Sequence, residues 1–595
     1  MDRKTYDSRS PRHKRPYGAV PSGTKVELTL TPPRGRGYSR GNILAQFEAD
    51  DDREVAFPLT WTGMEGSRDC FTGTLDTGDY VGLVWYRFRL ESLDGRLAES
   101  ETFQLTVYDD SERVPAWFGQ GLTYQIFPDR FRRTRVPDPT GLVGGRTVHQ
   151  SWEEEPEYRP NAQGEIRNRD FFGGDLNGVR EKLPYLKSLG VETIYFNPIF
   201  EAAENHRYGT ADYGRVDPML GTNGDFSALC GEAHRLGMRV LLDGVFNHTG
   251  YVSRYFNGDG FYPEPGAAQS KDSPYYDWFH FSRWPDRYDS WWGIYSLPAV
   301  NETSESYLDY IIEGENSVVR SWLRAGADGW RLDVADELPD GFIERLHAAV
   351  RETDPNAVVI GEVWEDGTTK VAYDVRRKHL LGRHLDGLMN YPFRNALLAF
   401  LLGGNGSAFQ AEMECLRENY PPFAFYGAMN FLGTHDTPRI LTLLGVGGDG
   451  QDHDRDWRAA HRLNEEQYRM AVTRLKAGAT ILYAFPGSPT LYYGDEAGLE
   501  GFEDPFNRRT YPWGREDGEL VDFFRTLGQA RATLPALRQG DLTYLAAEEG
   551  FLAFTRSYGG QTVLAAANLS WEEKTVTVGE TTVQLPPMTS LLREL

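Results

Sequence analysis

The sequence predicts an α/β protein: a (β/α)8 TIM barrel flanked by an N-terminal β-sandwich and a small C-terminal β-sandwich. Three observations predict it. The chain has 595 residues, more than one core organises, so two to four domains are expected. Hydrophobic residues alternate with period two near both ends, and between them short apolar runs alternate with helical patterns. Several of those runs end in a carboxylate, which is costly for an apolar strand unless its end opens on a polar cavity.

Residues 1–22 are polar and punctuated by proline, and read as a mobile arm. From 23 to 114 the pattern is that of a β-sandwich. Val26, Leu28 and Leu30 alternate with polar residues, as do Phe103, Leu105 and Val107, and Tyr80–Leu90 is an aromatic strand candidate. From 115 to 515 strands alternate with helices, which implies a parallel sheet. Leu122–Phe127, Thr193–Asn197, Arg239–Phe246, Gly329–Asp333, Val358–Glu362 and Asn430–Thr434 read as strands. Asp175 is placed to cap one helix, in which Pro184 predicts a kink or a late start, and Asp225 is placed to cap another. This stretch is longer than a minimal barrel and carries two insertions, Arg132–Asp170 and the aromatic-rich 249–304. Residues 516–595 read as a helical linker and a second β domain, with a turn at Gly559-Gly560.

The net charge of −24 argues against nucleic-acid or anionic-membrane partners, because phosphate contacts need a cationic surface. Cys70, Cys230 and Cys415 are odd in number and lack metal-ligand spacing, so neither a disulfide framework nor a zinc site is expected. No apolar run reaches the roughly 18 residues of a membrane span, and no secretory h-region follows the basic N-terminus, so the cytoplasm is the expected compartment.

Four strand ends carry the chemistry: RVLLDGVFNH with Asp243 and His248, GWRLD with Arg331 and Asp333, VVIGE with Glu362, and FLGTHD with His435 and Asp436. In parallel barrels that end is where active sites lie. The two-residue period puts Arg331 and Asp333 on one strand face, where the arginine would keep the aspartate ionised and aimed. Glu362, crowded by other carboxylates and Trp364, would have a raised pKa and donate a proton. Singly, each residue has an ordinary explanation as a cap, a local ion pair or a structural histidine. Four such ends in order on one barrel do not.

At these residues the sequence resembles the α-amylase superfamily, glycoside hydrolase family 13, through DGVFNH, GWRLDVADE, GEVW and FLGTHD. The resemblance implies Asp333 as nucleophile, Glu362 as acid/base and Asp436 as transition-state stabiliser. It implies that Asp243, His248, Arg331 and His435 hold the sugar at the cleavage site. NHRYGTADY, LPAVN, Glu337 and YYGDEAGLEGFEDPFNRR are similar to the neopullulanase, cyclomaltodextrinase and maltogenic amylase group. That similarity implies stacking by Tyr208 with His206 nearby, an Asp504–Arg508 pair at the next glucose, and Trp364 on the leaving-group side. Gly174 and Asp175 of FFGGDL are the calcium candidates, although the adjoining RFRRTRVPDP is rich in arginine rather than oxygen ligands. No cofactor is expected to be required.

The function so implied is retaining hydrolysis of α-1,4 links, with α-1,6 links as a secondary candidate, in maltooligosaccharides, cyclodextrins or pullulan. A dedicated 4-α-glucanotransferase and a non-catalytic carbohydrate-binding protein are the alternatives. The N-terminal domain has two readings, starch binding or pairing into a homodimer.

Overall fold

The computed structural model describes residues 4–48, 53–112, 114, 115 and 117–595. Its centre is a closed barrel of parallel strands: β1 (Leu122–Ile126), β2 (Val191–Phe196), β3 (Arg239–Gly244), β4 (Gly329–Leu332), β5 (Val358–Val363), β6 (Gly387–Asn390), β7 (Met429–Phe431) and β8 (Ser488–Tyr492), with β8 pairing back onto β1. The lumen is filled by Tyr195, Leu241, Val358, Ile360, Met389, Met429 and Phe431, all buried, as a barrel of this strand number requires.

Six of the eight strands lie where the hydrophobic runs predict them. The other two have physical reasons to be cryptic. β6 is only Gly-Leu-Met-Asn, with no β-branched residue. β8 contains Pro489, which normally argues against an inner strand. Here pairing with β1 begins only at Thr490, so the proline removes no hydrogen bond from that ladder.

The helices follow their caps. Asp175 caps Leu176–Ser188, its side chain accepting from Gly178 N at 2.7 Å. This helix does not start late, and it runs on through Pro184 to Ser188. The next helix, Asn223–Arg235, is capped by Thr222 rather than Asp225. Asp225 is the third helical residue and closes a reciprocal capping box, Thr222 Oγ1 accepting from Asp225 N and Asp225 accepting from Thr222 N.

The barrel seam between β1 and β8 is tied from within by Arg531 of the helix Gly518–Thr533. Its buried guanidinium donates to the carbonyls of Gly119 and Gln120 before β1, of Tyr483 and Phe485 at the end of Glu465–Ala484, and of Gly487 before β8. These oxygens lack partners within their own elements, and a rigid five-donor fork satisfies them together. After that helix, a four-stranded antiparallel sheet and the hairpin Lys574–Val578/Thr581–Leu585 enclose a small core of Phe551, Ala553, Leu564, Ala566, Val576, Val583 and Leu585. The predicted turn at Gly559-Gly560 joins two of the strands, both glycines having positive φ as a two-residue hairpin demands.

The N-terminal sheet runs in the order Lys14–Arg15, Lys25–Leu30, Arg68–Asp76, Arg53–Glu65, Tyr38–Phe47, Gly82–Ser92, Phe103–Tyr108, Val20–Pro21, with Leu97–Glu99 beside Gly82–Ser92. The long strand Arg53–Glu65 serves both halves: its first part pairs with Tyr38–Phe47, its second with Arg68–Asp76. Val26, Leu28, Leu30, Leu105 and Val107 point into one core, as their alternation predicts.

The expected arm at 1–22 is not free of this domain. Lys14–Arg15 and Val20–Pro21 are edge strands, and Tyr6 is buried in the core with its hydroxyl 2.7 Å from that of Tyr86. The polar composition hid a single aromatic anchor. The compact unit also takes in residues 366–386 and 413–425 from inside the predicted barrel range. Gln104 donates to Thr368, Arg376 pairs with Glu48 at 2.9 Å, Arg383 with Asp109 at 2.8 Å, and Arg9 with Glu418 at 3.1 Å.

Replacing Arg531 by methionine keeps most of the volume but leaves five carbonyls unpaired. Denaturant titration is expected to show a loss of about 3–5 kcal/mol in stability. An unchanged midpoint would mean the seam holds without it.

Candidate active site

Each predicted strand end delivers its side chain to the same mouth of the barrel. Asp243 ends β3, Asp333 follows β4, Glu362 lies in β5, and His435-Asp436 follow β7. Arg331, in β4, points into the lumen and is fully buried. Its Nη1 lies 2.8 Å from Asp243 Oδ1 and 2.8 Å from Asp333 Oδ1, and its Nη2 lies 2.8 Å from Glu362 Oε2. One guanidinium therefore gathers three carboxylates. A second oxygen–donor contact fixes Glu362 from each side: Val334 N donates to Oε2 at 2.9 Å and Trp364 Nε1 to Oε1 at 3.0 Å. Val334 reaches that position with φ of 43°, a strained conformation for a β-branched residue.

At Asp333 the electrostatics differ from the sequence expectation. Arg331 does favour the ionised form of Asp333, but burial, then the neighbouring Glu362 and Asp243, push its pKa well above the usual aspartate range. Burial likewise raises Asp243, against the pull of Arg331 and the hydroxyls of Tyr195 and Tyr208. Fully ionised, the three carboxylates would leave two uncompensated negative charges around one arginine.

One wall is a hydrogen-bond relay. Gln125 Nε2 lies 2.9 Å from His435 Nδ1, and His435 Nε2 lies 2.6 Å from the Tyr208 hydroxyl. That hydroxyl donates to Asp243 Oδ2 at 2.9 Å, and Tyr195 donates to the same oxygen at 2.7 Å. The directions assign the neutral Nε2–H tautomer to His435. Burial, with Arg508 and Arg331 nearby, lowers its pKa well below the ordinary value, which agrees. The Tyr208 and His435 rings are stacked at 5.3 Å. His206 Nδ1 accepts from Tyr208 N at 3.1 Å, and burial keeps it neutral.

Asp436 is the most open carboxylate, 3.2 Å from His435 Nε2 and 3.7 Å from Arg508 Nη2. Arg508 pairs with Asp504 at 3.1 Å, four residues back, as the sequence suggests. Trp364 stacks on Tyr391 with ring centres 4.0 Å apart and is 46% exposed at the rim. His248 is buried against the Trp291 ring at 5.3 Å, and burial lowers its pKa to about 4. Neither of its ring nitrogens is hydrogen-bonded. Glu337 does not join the carboxylate cluster: it accepts from the indoles of Trp291 and Trp292.

Gln125, Tyr195, Asn197, Tyr391, Trp291 and Trp292 escaped the sequence reading. The two-residue period of β1 and β2 carries a signal for the first two. Nothing local marks the others.

The calcium candidates have other work. Asp175 Oδ1 accepts from Gly178 N, and Oδ2 accepts from both the amide and the hydroxyl of Thr134. Gly174 N donates to Asp129 O. Among the described residues no group of three or more His, Cys, Asp or Glu is arranged to hold a metal ion. Among them, too, no helix is long and apolar enough to cross a membrane.

Residues 125–538 match the family described as "Alpha amylase, catalytic domain". The chain is 34% identical over 649 residues to the amylopullulanase of Thermoanaerobacterium saccharolyticum, an alignment covering 97% of this chain and 49% of that protein. It is 32% identical over 589 residues to neopullulanase 2 of Thermoactinomyces vulgaris, covering 94% and 90% respectively. The solved type III pullulan hydrolase from Thermococcus kodakarensis superposes with a TM-score of 0.69 at 28% identity, covering 99% of each chain. The chain spans half or less of the length of the amylopullulanases it matches, 49%, 40% and 34%. With its barrel, its strand-end carboxylates and a match over most of its length, the chain belongs to the α-amylase family.

Proposed function

We propose that the protein is a retaining α-glucan hydrolase that cleaves α-1,4, and also α-1,6, glucosidic bonds in maltooligosaccharides, cyclodextrins or pullulan. The observation that carries this is Arg331 spanning Asp333 and Glu362. Carboxylates held on the two terminal nitrogens of one guanidinium stand close together. Retaining enzymes need a spacing of about 5–5.5 Å, whereas inverting enzymes need a wider gap for water.

In the first step an Asp333 oxygen attacks the anomeric carbon and forms an ester, while the glycosidic C–O bond breaks. The leaving oxygen takes the proton of Glu362. In the second step water attacks the same carbon, Glu362 takes the water proton, and the ester bond returns its electrons to Asp333. Two inversions retain the α configuration. Arg331 opposes the charge on Asp333 before attack and on Glu362 after proton transfer, so one cation serves both steps. Asp243, Asp436 and His435 present acceptors and a donor to the hydroxyls of the sugar being cleaved. His248, with its unbonded nitrogens, supplies another contact, since buried polar atoms without partners are otherwise costly. The names of similar proteins favour this substrate range: one is an amylopullulanase, another a neopullulanase, and others are cyclomaltodextrinases.

Asp333→Ala is expected to lower kcat on maltotriose by about four orders of magnitude, and Glu362→Gln by about two to four. NMR of the first product should show the α-anomer. Activity within ten-fold of wild type in either variant, or a β-anomeric first product, rejects the roles.

The pH dependence follows from the cluster. Asp333 must be ionised to attack, and its raised pKa means that the ionised form is lost on acidification sooner than for an ordinary aspartate. The acid limb of kcat/KM is therefore expected above the usual 3.8. Asp243→Asn removes one of the like charges that raise it and should move the limb to lower pH. A limb that stays put in the variant would show that the two carboxylates are not coupled.

A further inference from the structure

The insertion Arg132–Asp170 supplies no member of the carboxylate cluster, yet one of its histidines is tied toward the site. The short strand Thr147–Val148 pairs in parallel with Asp170–Phe171, which brings His149 over the Phe172 ring with centres 4.0 Å apart. His149 Nδ1 then lies 2.6 Å from Glu154 Oε2, and Nε2 lies 3.1 Å from Asp170 Oδ2. An ionised carboxylate offers lone pairs only, so both ring nitrogens must carry hydrogens, and only the imidazolium has two. Burial opposes that charge, but the hydrogen bonds to Asp170 and Glu154 outweigh it and raise the pKa. Two arginines complete the charged surroundings. Arg130 lies 3.7 Å from Asp170 and opposes the imidazolium, and Arg133 donates to the His149 carbonyl at 3.1 Å.

Asp170 passes this arrangement on. Its buried Oδ1 accepts from Asn205 Nδ2 at 2.9 Å. The same Nδ2 lies 3.0 Å from the Asp170 carbonyl, and Asn205 N donates to Asn168 O at 2.7 Å. Asn205 directly precedes His206 and lies three residues before Tyr208, which are joined through Tyr208 N and His206 Nδ1. We infer that His149, held as an imidazolium between Glu154 and Asp170, is a positioning residue for the sugar-binding wall. Through Asp170 and Asn205 it fixes the loop that presents His206 and Tyr208. This rests on the proposed α-glucan hydrolase function. Packing over Phe172 asks only for a flat ring, not for a carboxylate at each of its edges. Without the imidazolium, Asp170 keeps the Glu157 amide at 3.0 Å and the neighbouring Arg130, so the loop loosens rather than unfolds. On the proposed reading Tyr208 and His206 meet the sugar before and during bond cleavage alike, so loosening raises KM more than it lowers kcat. The tether is complete below about pH 6.5, the ordinary histidine value, and is lost as pH rises through the raised folded one.

The test follows kcat and KM for maltotriose between about pH 6 and about pH 9 in wild type, His149→Gln and His149→Arg. Wild-type KM is expected to rise about five-fold over that range relative to His149→Arg, which keeps its charge, its stacking plane and a donor for each carboxylate. His149→Gln, uncharged throughout, should start with a KM about five-fold above wild type and rise no further, with kcat changed less than about two-fold. Hydrogen exchange of residues 203–209, read by mass spectrometry without substrate, should speed up in His149→Gln at about pH 6 and not in His149→Arg. Identical KM profiles in the three proteins, or loop exchange unchanged in His149→Gln, overturn the inference. Should His149→Gln fail to fold, the wild-type profile against that of His149→Arg decides, and equal profiles overturn it. Loop exchange that follows the variants in a protein that cleaves no α-glucan instead overturns the hydrolase reading alone.

Discussion

The active end of the barrel is organised by one buried cation. Arg331 sits in the lumen with no solvent contact and takes Asp243, Asp333 and Glu362 as neighbours. A guanidinium so placed is tolerable only because carboxylates surround it. The carboxylates in turn stand near one another only because it lies between them. Its planar fork fixes where each oxygen points, which a lysine ammonium would not do. Burial and the neighbouring carboxylates raise the pKa of Asp333, and burial raises that of Asp243, against the pull of the arginine.

Around this centre the barrel wall contributes hydrogen bonds that look inert singly. Gln125, His435, Tyr208 and Asp243 form a directed relay from β1, the β7 loop and the β2–β3 connection. Its effect is to fix the neutral tautomer of His435 and the orientation of Asp243 before a sugar enters. Trp364 and Trp292 both direct an indole N–H at a carboxylate and leave a ring face to solvent.

The N-terminal sheet shows how a domain recruits distant chain. Tyr6 enters its core from a stretch otherwise polar, and residues 366–386 and 413–425 join its compact unit through ion pairs and side-chain hydrogen bonds. These contacts are mostly charged and partly exposed, and each contributes little alone. Their number, rather than any one bond, ties the segments in.

By itself the sequence determined the class of fold and the residues at the catalytic strand ends. Period-two alternation names the faces of strands, and an apolar run that ends in Asp or Glu announces a polar cavity. Both signals are local. That is why Asp243, Arg331, Asp333, Glu362, His435 and Asp436 were legible. Tertiary structure alone decided the rest. β6 carries no β-branched residue and β8 is hidden by Pro489, and both exist because the barrel must close. Thr222 displaced Asp225 as a cap because the reciprocal box satisfies two amides instead of one. The raised pKa of Asp333 and the partnership of Glu337 with Trp291 and Trp292 depend on distances between segments far apart in the chain, and no local pattern encodes those distances.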